Sequence, residues 1–167
     1  RFRQKWRNTL KKGLRSCDIL EIKCFEEFQC IFKEYQSYAK KLGFKSISER
    51  KCMQWFKNVK EDKILSLRVF QASDPKDKKI KLGSIGILQY KKRGFYLFGF
   101  TNQLGRKSQA NSALLWKAIV HSKSKNLDEF DMGGLNNKTP LGIRKFKESL
   151  NGIFEKSPGE YFYISLF

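Results

Sequence analysis

The 167-residue sequence predicts an α+β (α/β-like) domain, with one mixed, mostly antiparallel sheet flanked by helices. Three observations predict it. The first third carries apolar residues at helical spacing. The middle third changes to short β-rich runs separated by turn residues. The last third alternates helix and strand patterns. The length suits one domain of roughly 100–200 residues, spanning 1–167. A content of 40% apolar and 14% aromatic residues supplies a core and argues against disorder.

The elements follow in order. Residues 1–15 form a basic opening helix: Arg1, Arg3, Lys5, Arg7, Lys11, Lys12 and Arg15 occur with no acidic residue. Phe2, Trp6, Leu10 and Leu14 recur every four residues as one apolar stripe. Gly13 weakens this helix near its end. A short strand over 18–23 follows. Phe25, Phe28, Phe32, Tyr35, Ala39 and Leu42 alternate three and four apart, and Gly43 supplies a stop. Ser48 can cap a further helix with Cys52, Met53, Phe56 and Val59 inward and Trp55 on its edge.

The period then changes. Residues 64–70 place Leu65, Leu67 and Val69 on one face, with Ser66 and Arg68 on the other. Residues 73–77 are a turn. Residues 80–90 and 95–100 read as a hairpin joined through Lys91-Lys92-Arg93-Gly94, with Gly83 and Gly86 marking a bulge or a close backbone approach. Residues 101–107 read as a polar loop. A helix from Ser108 or Gln109 turns Ala110, Ala113, Leu114, Ala118 and Ile119 inward, and Trp116 reads as core. A strand over 128–132 ends at Gly133-Gly134. Pro140 opens a helix carrying Ile143, Phe146 and Leu150. Residues 161–167 form a closing strand. The strand–loop–helix unit at 95–124 is where such sheets place anionic ligands, because free N–H groups at a helix start point at them.

Charge bounds the partners. There are 35 Lys+Arg against 16 Asp+Glu, a net +19. That excess fits nucleic acid, anionic lipid or a phosphorylated substrate, or plain solubility. No apolar run approaches the roughly 20 residues of a membrane span. The chain opens on Arg1 without the apolar core of a signal peptide, and it reads as a piece of a longer protein. Cys17, Cys24, Cys30 and Cys52 make no C-x-x-C pair and, with the single His121, do not form zinc-ligand spacing. They read as buried reduced thiols suited to a cytoplasmic protein. His121 has no partner for a catalytic triad and reads as structural or exposed.

Four stretches carry a family resemblance. They are Lys5-Trp6-Arg7-Asn8, Asn111-Ser112-Ala113-Leu114-Leu115-Trp116, Phe130-Asp131-Met132-Gly133-Gly134, and Gly142-Ile143 with Phe146-Lys147. In this order they resemble the K-x-R-N helix, the helix after the central hairpin, the Y/F-D-x-G-G strand end and the G-[IV]-x-x-F-K segment of FemABX-type aminoacyltransferases. These enzymes build peptidoglycan interpeptide bridges for the cell wall. The resemblance is to their second domain, which has a GNAT-type acyltransferase fold.

The resemblance implies a transferase that moves an aminoacyl group from aminoacyl-tRNA, as co-substrate, to an amine of a lipid-linked or nucleotide-linked peptidoglycan precursor. It implies no bound cofactor, and a cytoplasmic location that can include the inner face of an anionic membrane. The alternatives are an acyl-CoA-dependent GNAT N-acyltransferase and a non-catalytic basic module binding RNA or anionic membrane. Gln103-Leu104-Gly105-Arg106-Lys107-Ser108-Gln109-Ala110 does not fit the R/Q-x-x-G-x-G/A phosphate loop of classical GNAT enzymes, which favours tRNA over CoA. Oligomeric state is not legible.

Aminoacyl transfer passes through a tetrahedral oxyanion that needs a fixed positive partner. By the resemblance that cation is Lys147, and Phe146 stacks on the terminal adenosine of the tRNA. Lys5 and Arg7 either face precursor phosphates or form a solvated helix face. Arg106 and Lys107 either grip the tRNA acceptor end or belong to an ordinary basic loop. Asn111 and Ser112 cap or line the pocket. Asp131 either orients the acceptor amine and accepts its proton, or bonds the loop that Gly133 and Gly134 turn. The glycines that follow favour the second role.

Overall fold

The computed structural model describes residues 2–59, 64–135 and 139–156. Their elements run α1 (Gln4–Ser16), β1 (Asp18–Ile22), α2 (Phe25–Lys41), α3 (Glu49–Lys57), β2 (Leu65–Ser73), β3 (Lys81–Tyr90), β4 (Arg93–Thr101), α4 (Gln103–Lys107), α5 (Ala110–Ser124), β5 (Glu129–Asp131) and α6 (Leu141–Glu148). The strands form one sheet in the order β1-β2-β3-β4-β5. The first four are mutually antiparallel, and β5 runs parallel to β4. The predicted mixed, mostly antiparallel α+β plan is therefore the observed one. The closing strand expected over 161–167 lies outside the described residues.

Helices cover both faces of the sheet. On one face α1 and α5 pack over Phe70, Ala72, Ile85 and Ile87, and Phe146 and Leu150 reach the same layer. On the other face α2 and α3 pack over Leu67, Val69, Phe98 and Phe100. The second layer is largely aromatic: Phe28 stacks on Phe56 at 4.3 Å, and Tyr35 on Phe98 at 4.8 Å. Because β2 is covered on both sides, its expected polar face does not meet solvent. Ser66 is buried, and Arg68 pairs with Glu21 at 3.0 Å.

Several local expectations need correction. The opening helix begins at Gln4 and ends at Ser16, and its apolar stripe drifts. A four-residue repeat overshoots the 3.6-residue turn, so the stripe rotates away from its neighbour. Leu14, the fourth member, is 49% exposed, and Gly13 takes its place against α5. A Cβ on Gly13 would lie 2.6 Å from the Gln109 carbonyl oxygen and 3.1 Å from the Ala113 Cβ. Gly13 is thus a close-approach residue rather than a weak point. Leu42, expected inward, is 48% exposed because α2 ends before it.

The loop expected over 101–107 contains the short helix α4. Asn102 caps it, accepting the Gly105 N–H at 2.8 Å while its own amide donates to the Lys81 carbonyl at 2.6 Å. The hairpin turn is tighter than expected. Tyr90 pairs with Arg93, leaving only Lys91 and Lys92 in the loop. Trp116 is half-buried rather than core, in a cluster with Phe2 and Trp6. Cys17 and Cys52 are buried, but Cys24 and Cys30 are exposed; all four are free thiols. Burial pushes the Cys52 thiol up to about 12, so it stays protonated and inert. His121 is half-buried, edge-on to Phe70 at 5.3 Å.

Candidate active site

The site forms where β5 leaves the sheet. β5 pairs with β4 at three positions only, Arg93↔Glu129, Gly94↔Phe130 and Phe95↔Asp131. An Arg93–Glu129 ion pair at 2.8 Å closes the base of this pairing. Two residues further along, β4 bulges. Gly86 pairs with Phe98 and Ile87 with Tyr96, so Leu97 is an extra residue. From Tyr96 to Thr101, β4 therefore has β3 on one side and, among the described residues, no strand on the other. Among the described residues, a parallel pair that ends part-way along β4 leaves a strand edge open beside the loop after β5.

That loop is locked by its own sequence. The Asp131 carboxylate accepts the Gly133 N–H at 2.6 Å, which turns the chain back on itself. Gly133 adopts φ +74°, a left-handed conformation that glycine takes without steric cost. The turn directs the carbonyls of Gly133 and Gly134 toward α6. The ammonium of Lys147 donates to both, at 3.2 and 3.0 Å. An ammonium has three N–H donors, and the loop takes two.

Desolvation pulls the Lys147 pKa below the ordinary lysine value, while the Asp131 carboxylate pushes the other way. A charge held in a partly water-excluded place acts more strongly on a neighbouring charge than it would in bulk water. A Cβ built on Gly133 would lie 3.6 Å from the Lys147 nitrogen and 3.9 Å from the Tyr96 carbonyl. The lysine, the glycine turn and the open β4 edge are thus neighbours. Phe146, beside Lys147, is half-buried against the α1/α5 layer.

The structure therefore joins four of the predicted residues by hydrogen bonds: Asp131, Gly133, Gly134 and Lys147. Phe146 adjoins them in sequence. It does not tie the others to this cluster among the described residues. Lys5 and Arg7 are on α1, Lys5 exposed and Arg7 half-buried, with the Arg7 guanidinium bonded to Gln4. Arg106 and Lys107 lie in α4, past the far end of β4; Arg106 donates to the Thr101 carbonyl at 3.1 Å. Ser112 is buried at the start of α5, and Asn111 is half-buried beside it.

The sequence reading missed Tyr96. It is the first β4 residue past the β5 pairing, and its hydroxyl lies where a Cβ on Gly99 would otherwise be, 2.1 Å away. Burial raises its pKa, so the phenol stays neutral. The only sequence signal was a Tyr and a Gly three residues apart in an otherwise Phe-rich strand.

Among the described residues, a five-stranded sheet covered on both faces, with a bulged β4 and a β5 that pairs with it only in part, has the GNAT-type acyltransferase fold that its likeness to solved acetyltransferases shows. The chain belongs to the FemAB family, whose model matches residues 31–165. Among solved structures it is similar to FemX, at TM-score 0.69 and 13% identity over 89% of this chain and 54% of FemX. The chain thus spans about half the length of FemX. It is also similar to an aminoglycoside acetyltransferase, meta-AAC0020, from an uncultured soil metagenomic sample, at TM-score 0.62 and 11% identity over 90% of this chain and 97% of that one. A predicted acetyltransferase with acetyl-CoA from Clostridium acetobutylicum follows at TM-score 0.59 and 10% identity, over 90% and 96%. At these identities the likeness is one of fold. No curated protein sequence matches the chain. Among the described residues no helix is long and apolar enough to cross a membrane.

Proposed function

We propose that the chain is the acyl-transferring half of a FemAB aminoacyltransferase. It moves an aminoacyl group from aminoacyl-tRNA to a side-chain amine of a peptidoglycan precursor. The observation that carries this reading is the Lys147 ammonium, held on the Gly133 and Gly134 carbonyls beside the part of β4 that β5 leaves unpaired.

The chemistry follows from that placement. The acceptor amine adds to the ester carbonyl carbon, forming a C–N bond and a tetrahedral oxyanion. The third N–H of Lys147 donates to that oxyanion. The intermediate collapses by breaking the C–O bond to the tRNA ribose, and the departing oxygen takes the proton that the amine loses. No protein base is needed, because donor and acceptor exchange the proton between them. This leaves Asp131 its observed task, which is to set the turn that aims the two carbonyls. Phe146 supplies an aromatic surface next to the reacting end, suited to the terminal adenosine. The basic α1, with Lys5 and Arg7, together with Arg106 and Lys107 in α4, serves the phosphates of tRNA and precursor, and the net +19 favours such partners and an anionic membrane surface.

A second reading, an acyl-CoA-dependent N-acyltransferase, is favoured by the likeness to an acetyltransferase with acetyl-CoA. The two separate in one experiment. The full-length protein is mixed with labelled aminoacyl-tRNAs, acyl-CoAs and cell-wall precursor, and the label is followed. Transfer from tRNA supports the first reading and names the amino acid. Transfer from CoA alone selects the second.

A further inference from the structure

A cavity of about 520 Å³ opens where β1 and β2 meet the start of α2 and the end of α3. Its walls are Ile22, Phe25, Phe56, Val59 and Leu67. Protein interiors leave few voids larger than a water molecule. A hollow of this size lies instead within the roughly 300–1,000 Å³ of small-molecule sites, which are mostly apolar with a few placed polar groups. It is remote from the Lys147 site, since β1 and β2 stand at the opposite edge of the sheet from β5, and α2 and α3 cover the opposite face from Phe146.

Among the described residues, the lining charges outside the Glu21–Arg68 ion pair are both lysines. Lys23 and Lys57 line the rim, both are exposed, and neither is ion-paired among the described residues. The Lys57 ammonium lies 4.6 Å from the centre of the Phe25 ring, a cation–π contact that holds it above the apolar floor. The other rim charges are spoken for. Glu21 and Arg68 pair with each other at 3.0 Å. Glu26 accepts from the Cys24 thiol at 2.7 Å. With Glu27 it places two carboxylates in the first turn of α2, which offset the positive end of that helix. Among the described residues, recognition of a charge here therefore falls to Lys23 and Lys57.

We propose that this cavity binds an anionic amphiphile, with an aliphatic chain in the hollow and one carboxylate between Lys23 and Lys57. The apolar walls take the chain by the hydrophobic effect. The ammonium groups select the carboxylate over an uncharged head.

The test is a titration of the ¹⁵N-labelled full-length protein with decanoate, and separately with decanol. Saturable shifts at the Phe25, Phe56 and Val59 amides are expected, with decanol about tenfold weaker. The K23Q/K57Q double variant should bind decanoate about tenfold more weakly than wild type. Val59→Trp, which fills the hollow, should abolish the shifts. Four results would overturn the proposal: shifts centred elsewhere, equal binding of decanol, unchanged affinity in the double variant, or no saturable binding. If Val59→Trp fails to fold, the double variant still decides, because it alters only exposed side chains.

Discussion

The ammonium of Lys147 bonds to the carbonyl of Gly134 at 3.0 Å, across thirteen residues of chain. With the Gly133 carbonyl it converts the turn after β5 into a seat for a cation. Because the seat is made of main-chain oxygens, its geometry depends on the turn that the Asp131 carboxylate sets.

The pH profile should carry the mark of this seat. The Lys147 pKa is depressed, so the charged form is lost at lower pH than for a solvated lysine. Single-turnover transfer should therefore fall on the alkaline side before ordinary lysines titrate. Lys147→Arg, whose guanidinium stays charged, should remove that alkaline fall, even though its fork fits the two carbonyls less well and lowers the maximum.

Gly133→Ala should cost about 1–2 kcal/mol of stability, since φ +74° is unfavourable for an L side chain. A Cβ meets only ordinary contacts there, at 3.6 and 3.9 Å, so folding should survive. Transfer should drop by more than the stability loss explains, because relaxing the turn moves both carbonyls. Denaturant melts beside kcat measurements separate the two effects.

The α1–α5 contact predicts an inversion of what the apolar pattern suggests. Gly13→Ala should destabilise by about 1–3 kcal/mol, since its Cβ would press on the Gln109 carbonyl. Leu14→Ala, at a position 49% exposed, should cost under about 1 kcal/mol. Urea unfolding of the two variants is the check.

His121 predicts an acid weakness. Burial, with Arg68, Lys125 and Lys117, lowers its pKa below the ordinary 6.5, against an opposing pull from Glu21. The unfolded chain then takes up the proton first. Stability from this group is complete above pH 6.5 and is lost as pH falls toward the folded value. His121→Gln should show a smaller difference between melts at pH 7.5 and pH 5 than wild type does.

Much of the fold was legible because the patterns were local. The spacing from Phe28 to Ala39 is a helix face wherever it occurs, and the β2–β4 runs alternate or are bounded by turns. Three features were not legible, because each depends on a distant partner. Gly13 looks like a defect until Gln109 and Ala113 are seen above it. Residues 103–107 look like a loop, because their helix is held from outside by Asn102 and its bond to Lys81. Leu97 cannot be known as a bulge without β3 beside it. At the site, the Phe-Asp-x-Gly-Gly and Phe-Lys motifs pointed to the residues that meet, whereas the open β4 edge came only from the register.

The central claim is that Lys147 stabilises the oxyanion of aminoacyl transfer, and the most direct test is kcat/KM of the full-length protein against its Lys147→Ala variant with charged tRNA and precursor. The account predicts a loss of about 10²–10³-fold, with the melting curve and tRNA affinity nearly unchanged. Transfer at the wild-type rate by a folded Lys147→Ala protein would contradict it.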